Sequence, residues 1–498
     1  MARIVIIGAG VGGLGTALCT ARSGHRVTIV ERDDTPLPAD PHGAFEWDRH
    51  GAPQVRHSHA FLARLRNLLR DRHPDVITAL LAAGATEMRF LEMAPEGMEL
   101  EPEPGDEDLA ALACRRTTFE WVLRRMALAE GAVELIHGRS VTSLVTADET
   151  VDGIPVVVGV TLSDGTTLDA DVVVDAGGRR SDVPALLAPH GVEIPEAEED
   201  TGIIYLSRFF RLLDLDETPP SVVVGADLGY LKYGVFPGDN HTFSITFAVG
   251  SRDSEMRRLL LDPDRFLTAA ALIPATAPYV DGRSEPITDV EVMGGLINRR
   301  RWFLDDGDRP LVAGFHAVGD CHTATNPLYG RGCSLAMVQA QVLADLLSDA
   351  TMVADHVARA TAYEKAVHAE VTPWYDAAVA QDRFNRSQTP GSPPATPAGA
   401  DDGVGIAVRP DAGASDPTEV DPSDFLRGVL REGLLPALRT DPVVLRAFLA
   451  TFNLLRPPDS LLSDSDVIGR VMAIYQTRNE RPPEPPLGPT RTAFLAAV

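Results

Sequence analysis

The N-terminal segment constrains the fold more than any other part of the chain. Residues 2–31 have the pattern of a strand, a glycine-rich turn, a helix and a second strand. The turn contains G-x-G-x-x-G at Gly8, Gly10 and Gly13, and the second strand ends at Glu31. Gly8 permits the tight turn, Gly10 lets the backbone approach a pyrophosphate, and Gly13 lets the helix pack on the sheet. The segment therefore predicts a βαβ unit that binds a dinucleotide.

The start of this first helix is the predicted pyrophosphate site. Its free N–H groups and the helix dipole favour an anion there. The acidic residue after the second strand would accept hydrogen bonds from the adenosine ribose. A glycine-rich helix start in another class of α/β protein is the competing interpretation, and the complete strand–turn–helix–strand pattern disfavours it. The predicted cofactor contacts in this segment are Gly8, Gly10, Val11, Gly12, Gly13, Glu31 and Arg32.

Length and composition exclude several classes of protein. A chain of 498 residues exceeds what one core organises, so two or three domains are expected. A formal charge of −26 disfavours nucleic acid and anionic membranes as partners. Four scattered cysteines without C-x-x-C spacing are typical of a reducing cytoplasm, the predicted location. No segment is apolar enough to span a bilayer, and no histidine spacing indicates a metal site.

A second motif distinguishes NAD from FAD. Gly319 and Asp320 follow a predicted strand, and Pro327-Leu328-Tyr329-Gly330-Arg331-Gly332 precedes a predicted helix. This order resembles the FAD-dependent monooxygenases of the p-hydroxybenzoate-hydroxylase-like superfamily. The resemblance implies that the aspartate binds the ribitol of FAD and that the loop backbone faces the isoalloxazine. It implies cofactor contacts at Gly319, Asp320, Pro327, Gly330, Arg331 and Gly332.

Three further segments resemble the same superfamily. They imply cofactor contacts at Arg116 in R-T-T-F-E, at Val141 after V-E-L-I, and at Gly177 in D-V-V-V-D-A-G-G. The last segment departs from the single-component hydroxylases, because Asp175 is followed by A-G-G-R-R-S-D-V-P and not by G-x-x-S-x-V-R. No second dinucleotide fingerprint is present. The reducing equivalents therefore come either from NAD(P)H directly or from a separate flavin reductase that supplies reduced flavin.

The loop Pro53-Gln54-Val55-Arg56-His57-Ser58-His59 is similar to a subgroup that includes polyether epoxidases and related natural-product hydroxylases. This resemblance implies that Arg56 and His57 lie near the flavin. His57, His59 and Tyr329 are the candidates for polar groups at the oxygenation site, and no catalytic residue is assigned. The competing interpretation is a surface loop with two ordinary histidines.

The order of predicted elements indicates an α/β fold with a discontinuous cofactor domain. A Rossmann-type FAD-binding domain is predicted over 1–190 and 300–385, with an inserted antiparallel β-sheet substrate domain over 191–299. A Pro/Gly-rich linker or mobile loop is predicted over 387–423, and a helical C-terminal region over 424–498. Aromatic residues of the insert would supply the pocket wall, with half of them in the core because strand side chains alternate. They are Phe209, Phe210, Tyr230, Tyr233, Phe236, Phe243 and Phe247.

The predicted function is an FAD-dependent monooxygenase. Through a flavin C4a-hydroperoxide it would insert one oxygen atom from O2 into an apolar, biosynthetic small molecule, by hydroxylation or epoxidation. A flavin-dependent reductase of isoprenoid-like double bonds shares both motifs and stays open. A flavin halogenase is disfavoured because the W-x-W-x-I-P motif is absent from the sequence. From a different class, a non-catalytic flavin-binding companion protein would also carry these motifs.

Overall fold

In the computed structural model, the chain is described at residues 1–49, 51–95, 97–214, 224–387, 425–426, 428–482 and 486–498. The predicted linker, 387–423, lies outside the described residues except for its first position. Among the described residues no helix combines the length and apolar character needed to cross a bilayer.

The described strands are β1 (Arg3–Ile7), β2 (Arg26–Glu31), β3 (Thr86–Arg89), β4 (Ala110–Ala113), β5 (Val133–His137), β6 (Val141–Thr146), β7 (Val157–Leu162), β8 (Thr167–Asp169), β9 (Val172–Asp175), β10 (Glu196–Asp200), β11 (Ile203–Leu212), β12 (Val224–Asp227), β13 (Lys232–Pro237), β14 (Thr242–Gly250), β15 (Ser284–Pro286), β16 (Glu291–Met293), β17 (Ile297–Arg301), β18 (Phe315–Ala317) and β19 (Thr323–Ala324).

The described α-helices are α1 (Val11–Arg22), α2 (Ala63–Arg72), α3 (Pro74–Ala82), α4 (Arg116–Ala129), α5 (Val183–Leu187), α6 (Ser254–Leu260), α7 (Pro263–Leu272), α8 (Gly332–Leu347), α9 (Ala350–Ala354), α10 (His356–Ser387), α11 (Leu435–Thr440), α12 (Pro442–Phe452), α13 (Ser460–Ser463), α14 (Ser465–Gln476) and α15 (Arg491–Ala497).

A five-stranded parallel sheet forms the centre of the cofactor domain. Its order is β18-β9-β1-β2-β5, and every neighbouring pair is parallel. The central strands β1, β2 and β9 are rich in branched residues, as expected of strands covered on both faces. Ile7 pairs with Asp175, which pairs with Ala317, so the carboxyl ends of three distant segments meet at one edge. The predicted α/β Rossmann-type fold class is confirmed.

Helices α1 and α8 pack together against this sheet. Leu14, Ala17 and Leu18 of α1 are fully buried. A Cβ atom at Gly15 would lie 2.4 Å from the Sδ of Met337, so the two helices approach closely where a glycine faces α8. The close packing brings the N-terminal end of α8 to the same sheet edge as the glycine-rich turn.

A six-stranded antiparallel sheet occupies the predicted insert. Its path is β12-β13-β14-β11-β15, and β16 also pairs with β11. Helices α6 and α7 cover one face through a core that includes Phe210, Phe243, Phe247 and Phe266. The C-terminal helix α15 returns to this core, where Phe494 is fully buried. The C-terminal end of the chain thus contributes to the core of the β-rich region.

The sequence patterns between the two parts of the cofactor domain become clear in the structure. The strand-like residues 156–160 and 167–168 lie in a separate antiparallel sheet of β6, β7 and β8, and the chain rejoins the parallel sheet at β9. The tight turn between β7 and β8 favours this local pairing. Residues 60–84, whose two apolar stretches have a helical pattern, form the helices α2 and α3, which are separated because Pro74 cannot continue α2. Helix α10, of 32 residues, was not predicted.

Candidate cofactor and substrate site

The glycine-rich turn has the geometry that the sequence predicts for a dinucleotide site. Gly8 has a φ of +98°, and its N–H donates to the carbonyl of Val30 at 2.8 Å. A Cβ atom at Gly8 would lie 2.8 Å from the carbonyl oxygen of Ala176, and one at Gly13 would lie 1.9 Å from that of Gly8. Neither position has room for a side chain, so the start of α1 lies directly against the edge of the sheet.

The Glu31 carboxylate forms hydrogen bonds with the backbone of this turn. Its carboxylate accepts hydrogen bonds from the N–H of Ala9 at 2.8 Å and from that of Asp33 at 3.0 Å. The residue is 5% exposed. It therefore ties the glycine-rich turn to the end of β2, and its contact with a ribose stays a prediction.

A cluster of buried charges lies beside the turn and was not predicted from the sequence. Arg49 donates to the carbonyl of Ala9 at 3.1 Å, pairs with Asp33 at 3.2 Å and lies 3.8 Å from Glu120. Its guanidinium and that of Arg124 lie over the ring of Trp47, at 4.9 Å and 5.4 Å. No sequence motif marks these residues, since an arginine in a loop or a helix is usually a solvated side chain.

Several polar atoms of this cluster form no hydrogen bond with the described residues, although Nε of Arg49 and Oε2 of Glu120 face each other at 3.8 Å. They are Nε of Arg49, Nε and Nη1 of Arg124, Nε of Arg116 and Oε2 of Glu120. Buried arginine donors without acceptors are costly unless a ligand or water satisfies them. A Cβ atom at Gly10 would lie 3.6 Å from the other Glu120 oxygen, so the carboxylate that pairs with Arg49 and Arg116 borders the glycine-rich turn. The donor set fits an anionic ligand such as the pyrophosphate of FAD.

The second predicted motif lies next to the first. A Cβ atom at Gly12 would lie 3.5 Å from the carbonyl oxygen of Val318. Asp320, one residue beyond the positive-φ Gly319, forms an ion pair with Arg179 at 3.1 Å. Because the two motifs share one edge of the sheet, a single extended dinucleotide is able to contact both.

Arg116 connects the start of α4 to the start of α8. Its guanidinium donates to the Sγ of Cys333 at 2.8 Å and to Glu120 at 3.2 Å. It is buried, so its charge is held next to the helix end that the sequence assigns to the flavin. The predicted cofactor contact of Arg116 is compatible with this placement and stays a prediction.

The loop before α8 directs its side chains toward α10. The Tyr329 hydroxyl donates to Asp382 at 2.7 Å. The Arg331 guanidinium lies 4.8 Å from the ring centres of both Tyr329 and Trp374, and burial lowers its pKa to about 10. Gly330 has a φ of +65°, and a Cβ atom there would lie 3.1 Å from the Cβ of Ala60. The loop therefore touches the segment that carries the two candidate histidines.

Both candidate histidines are neutral at physiological pH. Burial lowers the pKa of His57 to about 4. Burial, with a smaller contribution from the charge of Arg116, lowers the pKa of His59 to about 3. The Nδ1 of His59 lies 2.9 Å from the carbonyl oxygen of His57, which makes Nδ1 the protonated nitrogen and Nε2 an acceptor. His57 is thus a polar but uncharged group, as is His59.

A row of hydroxyl groups extends from His57 across β11 and β14. The Nδ1 of His57 lies 3.2 Å from the Oγ of Ser207, which lies 2.7 Å from the Oγ1 of Thr246. The Oγ of Ser58 lies 2.6 Å from Thr246 and 2.6 Å from Ser244. We call Ser58, Ser207, Ser244 and Thr246 the hydroxyl row. Each hydroxyl both donates and accepts, so the tautomer of His57 decides which end of the row presents a donor.

A narrow cavity lies where the histidine loop meets the β-rich region. Two of the predicted wall aromatics, Phe209 and Phe236, line it, whereas Phe210, Phe243 and Phe247 lie in the core. Arg115 also lines it, but its guanidinium is bound by the buried carboxylate of Asp239 at 3.0 Å. The other lining residues are His57, His59, Cys114, Pro237, Gly238 and Ser244.

The remaining predicted contacts are more peripheral. Arg32 is exposed, and Arg56 is half-exposed at the surface between Asp48 and Glu291, at 3.8 Å and 3.6 Å. Val141 begins β6, outside the parallel sheet. Cofactor contacts of these residues stay predictions. Gly177 lies at the edge of the sheet, where its N–H donates a hydrogen bond to the Asp175 carboxylate at 2.7 Å. No cluster of three metal-ligating side chains is found in the described part of the chain.

Comparisons with known proteins are consistent with this geometry. Residues 3–47 match the family model of pyridine nucleotide-disulphide oxidoreductases. Among curated proteins, none matches the sequence. The structure is similar to that of PqsL, a probable FAD-dependent monooxygenase from Pseudomonas aeruginosa, with 16% identity, 78% of this chain and 97% of that chain covered, and a TM-score of 0.55. The chain has the fold of FAD-dependent monooxygenases and halogenases.

Two halogenases show the same likeness. The flavin-dependent brominase Bmp2 is 19% identical, with 78% of this chain and 90% of that chain covered and a TM-score of 0.52. The myxobacterial chondrochloren halogenase CndH is 18% identical, with 76% and 82% covered and a TM-score of 0.54. At these identities the likeness establishes the fold. The predictions of an oxidoreductase and of FAD as its cofactor agree with the comparisons, and the similarity to polyether epoxidases is not reproduced among them.

Proposed function

We propose that this protein is an FAD-dependent monooxygenase that transfers one oxygen atom from O2 to an apolar small molecule. The observation that carries the proposal is the junction of three parts at one place. The glycine-rich turn and the Gly319–Asp320 motif share one sheet edge, and the loop Pro327–Gly332 touches the segment that lines the aromatic cavity. A flavin held by the first two parts would have its ring between the loop and the cavity.

Each part has a defined role in the proposal. The N–H groups at the start of α1 and the donors of Arg49 and Arg124 would hold the pyrophosphate. Asp320 would accept hydrogen bonds from the ribitol, and the N–H groups at the start of α8 would face the pyrimidine edge of the ring. When bound, FAD supplies the redox and oxygen-transfer chemistry. The protein orients the substrate and keeps water out.

The cavity favours an uncharged substrate. His57 and His59 are neutral, because burial depresses the pKa of each, and Arg115 is neutralised by Asp239. The polar groups left to a ligand are therefore the Ser244 hydroxyl, the Cys114 thiol and the imidazole nitrogens, with Phe209 and Phe236 in the same lining. The chemistry of this lining suits a neutral group of an apolar substrate, but the cavity, of about 10 Å³, has to widen before an aromatic ring or an alkene enters it.

The reaction of reduced, FAD-loaded protein with O2 tests the proposal. In rapid mixing, an oxygenase is expected to return to oxidised FAD in two phases, with an intermediate absorbance that differs from those of reduced and oxidised FAD. Single-phase reoxidation with stoichiometric H2O2, at every pH tested, would contradict oxygen transfer. It would leave the flavin-dependent reductase of isoprenoid-like double bonds as the alternative, since that enzyme needs the same cofactor site.

The reductant is tested separately. We propose slow direct reduction by NADH or NADPH and faster turnover with a separate flavin reductase, because the segment after Asp175 departs from the single-component hydroxylases. In the structure the Asp175 carboxylate accepts hydrogen bonds from the N–H of Gly177 and from the Ser181 hydroxyl, and Arg179 forms an ion pair with Asp320. Rapid bleaching of the flavin by NADPH alone would contradict this part and leave the monooxygenase proposal intact.

A further inference from the structure

A buried carboxylate outside the nucleotide site contacts the predicted flavin loop. Asp382 lies on α10 and is 2% exposed. It accepts hydrogen bonds from the Nδ2 of Asn298 at 2.7 Å, the Nδ2 of Asn326 at 2.9 Å and the hydroxyl of Tyr329 at 2.7 Å. All three partners act as donors, so the position requires a group that only accepts.

Two of the partners, Asn298 and Asn326, close a ring of hydrogen bonds with Asp382. The N–H of Asn326 donates to the Oδ1 of Asn298 at 2.7 Å, while both amide groups donate to Asp382. The Oδ1 of Asn326 accepts from the Tyr205 hydroxyl at 2.9 Å and from the N–H of Leu328 at 3.0 Å. Every polar atom of the Asn326 side chain is therefore used, and its amide has one possible orientation. A fully satisfied buried network of this kind is rigid.

The network joins the loop to α10 through Asp382, to β17 through Asn298 and to β11 through Tyr205. Asn326 caps the short 3₁₀ turn Pro327–Tyr329, and this turn leads through Gly330 into α8. Asp382 thus binds the residue before the turn and the last residue of the turn. Two attachment points fix both the position and the tilt of a segment this short. The backbone N–H groups that follow, at the start of α8, take their direction from it.

The charges around Asp382 do not form an ion pair with it among the described residues. Arg331 lies beyond the Tyr329 ring, and Arg386 is bound by Glu199. Burial raises the pKa of Asp382, and the bonds from Asn298, Tyr329 and Asn326 oppose that rise. The carboxylate is held mainly by these three hydrogen bonds, with a smaller contribution from the charge of Arg386. A buried carboxylate without a direct ion pair is costly, which favours a role beyond folding stability.

We propose that Asp382 is a positioning residue that sets the geometry of the Asn326–Gly332 loop toward the flavin. The proposal rests on the proposed function, since it requires FAD at this site. The residue acts through Asn326 and Tyr329 and is not proposed to touch the substrate. Its replacement is expected to alter the environment of the flavin ring even when the protein stays folded and loaded with FAD.

The test compares Asp382→Asn with the matched control Asp376→Asn, which removes an exposed carboxylate from the same helix. In Asp382→Asn, one carboxylate oxygen becomes an NH2 group, which cannot accept the hydrogen bonds that Asn298, Asn326 and Tyr329 donate. We expect about tenfold weaker FAD binding to the apoprotein, the usual effect of disrupting a buried hydrogen bond, and a shift of the visible absorption bands of saturated FAD. Tyr329→Phe, which removes a single hydroxyl, is expected to shift the bands in the same direction by less. Asp376→Asn is expected to match the parent.

The outcomes separate this inference from the proposed function. A parent protein that does not bind FAD overturns both. A parent that binds FAD, with an Asp382→Asn variant of unchanged affinity and spectrum, overturns only the inference. A lower melting temperature with unchanged affinity and spectrum also overturns it, because the role is then structural alone. If Asp382→Asn does not fold, Tyr329→Phe decides in the same way, an unchanged spectrum overturning the positioning role.

Discussion

A Cβ atom at Gly12 would lie 3.5 Å from the carbonyl oxygen of Val318, although the two residues belong to opposite ends of the cofactor domain in the sequence. The first lies at the start of α1 and the second at the end of β18, so the glycine-rich turn and the Gly-Asp motif form one continuous edge. With the two motifs adjacent, we expect both to contact the same ligand.

The first prediction concerns the glycine-rich turn. Gly13→Ala places a Cβ atom 1.9 Å from the carbonyl oxygen of Gly8, a distance that only a backbone shift relieves. We expect a lower melting temperature and loss of FAD binding. Gly131→Ala is the control, because nothing lies within 4 Å of a Cβ there and the φ angle is permissive. If the Gly13 variant binds FAD like the control, the described turn is incorrect.

The second prediction concerns the two acidic residues of the motifs. Glu31→Ala and Asp320→Ala should each weaken FAD binding by about 1–3 kcal/mol, the usual cost of one unpaired polar partner. Glu31→Ala should also lower the stability of the apoprotein, because the N–H groups of Ala9 and Asp33 lose their acceptor. Glu134→Ala, in an exposed position of β5, is the control. Unchanged FAD affinity in both variants would show that the motifs are misplaced.

The third prediction concerns acid stability. The pKa of His57 is about 4 in the folded protein, below its ordinary value near 6.5. Between these values the unfolded chain binds the proton more readily, so this ring destabilises the fold as the pH falls through that window. Between pH 7 and pH 5 the loss is about 2 kcal/mol.

Replacement of the ring should reduce this pH dependence. In His57→Gln the fall in unfolding free energy between pH 7 and pH 5 should be smaller by about that amount. His137→Gln, at an exposed position, should behave like the parent. Burial raises the pKa values of Asp175 and Asp382, so their contribution to stability increases as the pH falls, opposite to that of His57. Both carboxyl groups are present in all three proteins, so their effect cancels in the comparison. An equal acid loss in parent and His57→Gln would mean that His57 is not buried neutral.

The fourth prediction concerns the hydroxyl row. Thr246→Val keeps the side-chain shape and removes the hydroxyl between Ser207 and Ser58. We expect FAD to be retained. A larger share of the reduced nicotinamide that is oxidised should yield H2O2 in place of product, because a less ordered polar wall positions substrate less well. Thr268→Val, an exposed threonine of α7, is the control. Equal coupling in both variants would mean that cavity shape alone positions the substrate.

The sequence predicted the parts of the site that backbone geometry imposes. Gly8, Gly13 and Gly319 lie where a side chain is excluded or φ is positive, and such positions leave a recognisable pattern. Arg49 and Arg124 were not predicted as site residues, because the burial and the partners of an arginine depend on its tertiary contacts. A helix of any sequence places such a residue inside or outside, depending on tertiary contacts.

The same limit applies to the polar groups of the cavity. Ser244 and Thr246 have the i, i+2 spacing of one strand face, so their common side could have been predicted from the sequence. Their link to His57 depends on the pairing of β11 with β14, which the sequence does not specify. Asp382 was missed because it lies at the end of a long helix that was not predicted. Its role depends on a contact with a distant loop.

Equilibrium titration of the apoprotein with FAD, FMN and NAD tests the central claim most directly. The glycine-rich turn alone would suit NAD or FAD, whereas Asp320 and the Pro327–Gly332 loop near the same edge favour a ligand that extends from a pyrophosphate to a flavin ring. The account predicts that FAD binds more tightly than FMN and NAD, and that FAD binding raises the melting temperature. Tight binding of NAD without binding of FAD would contradict it.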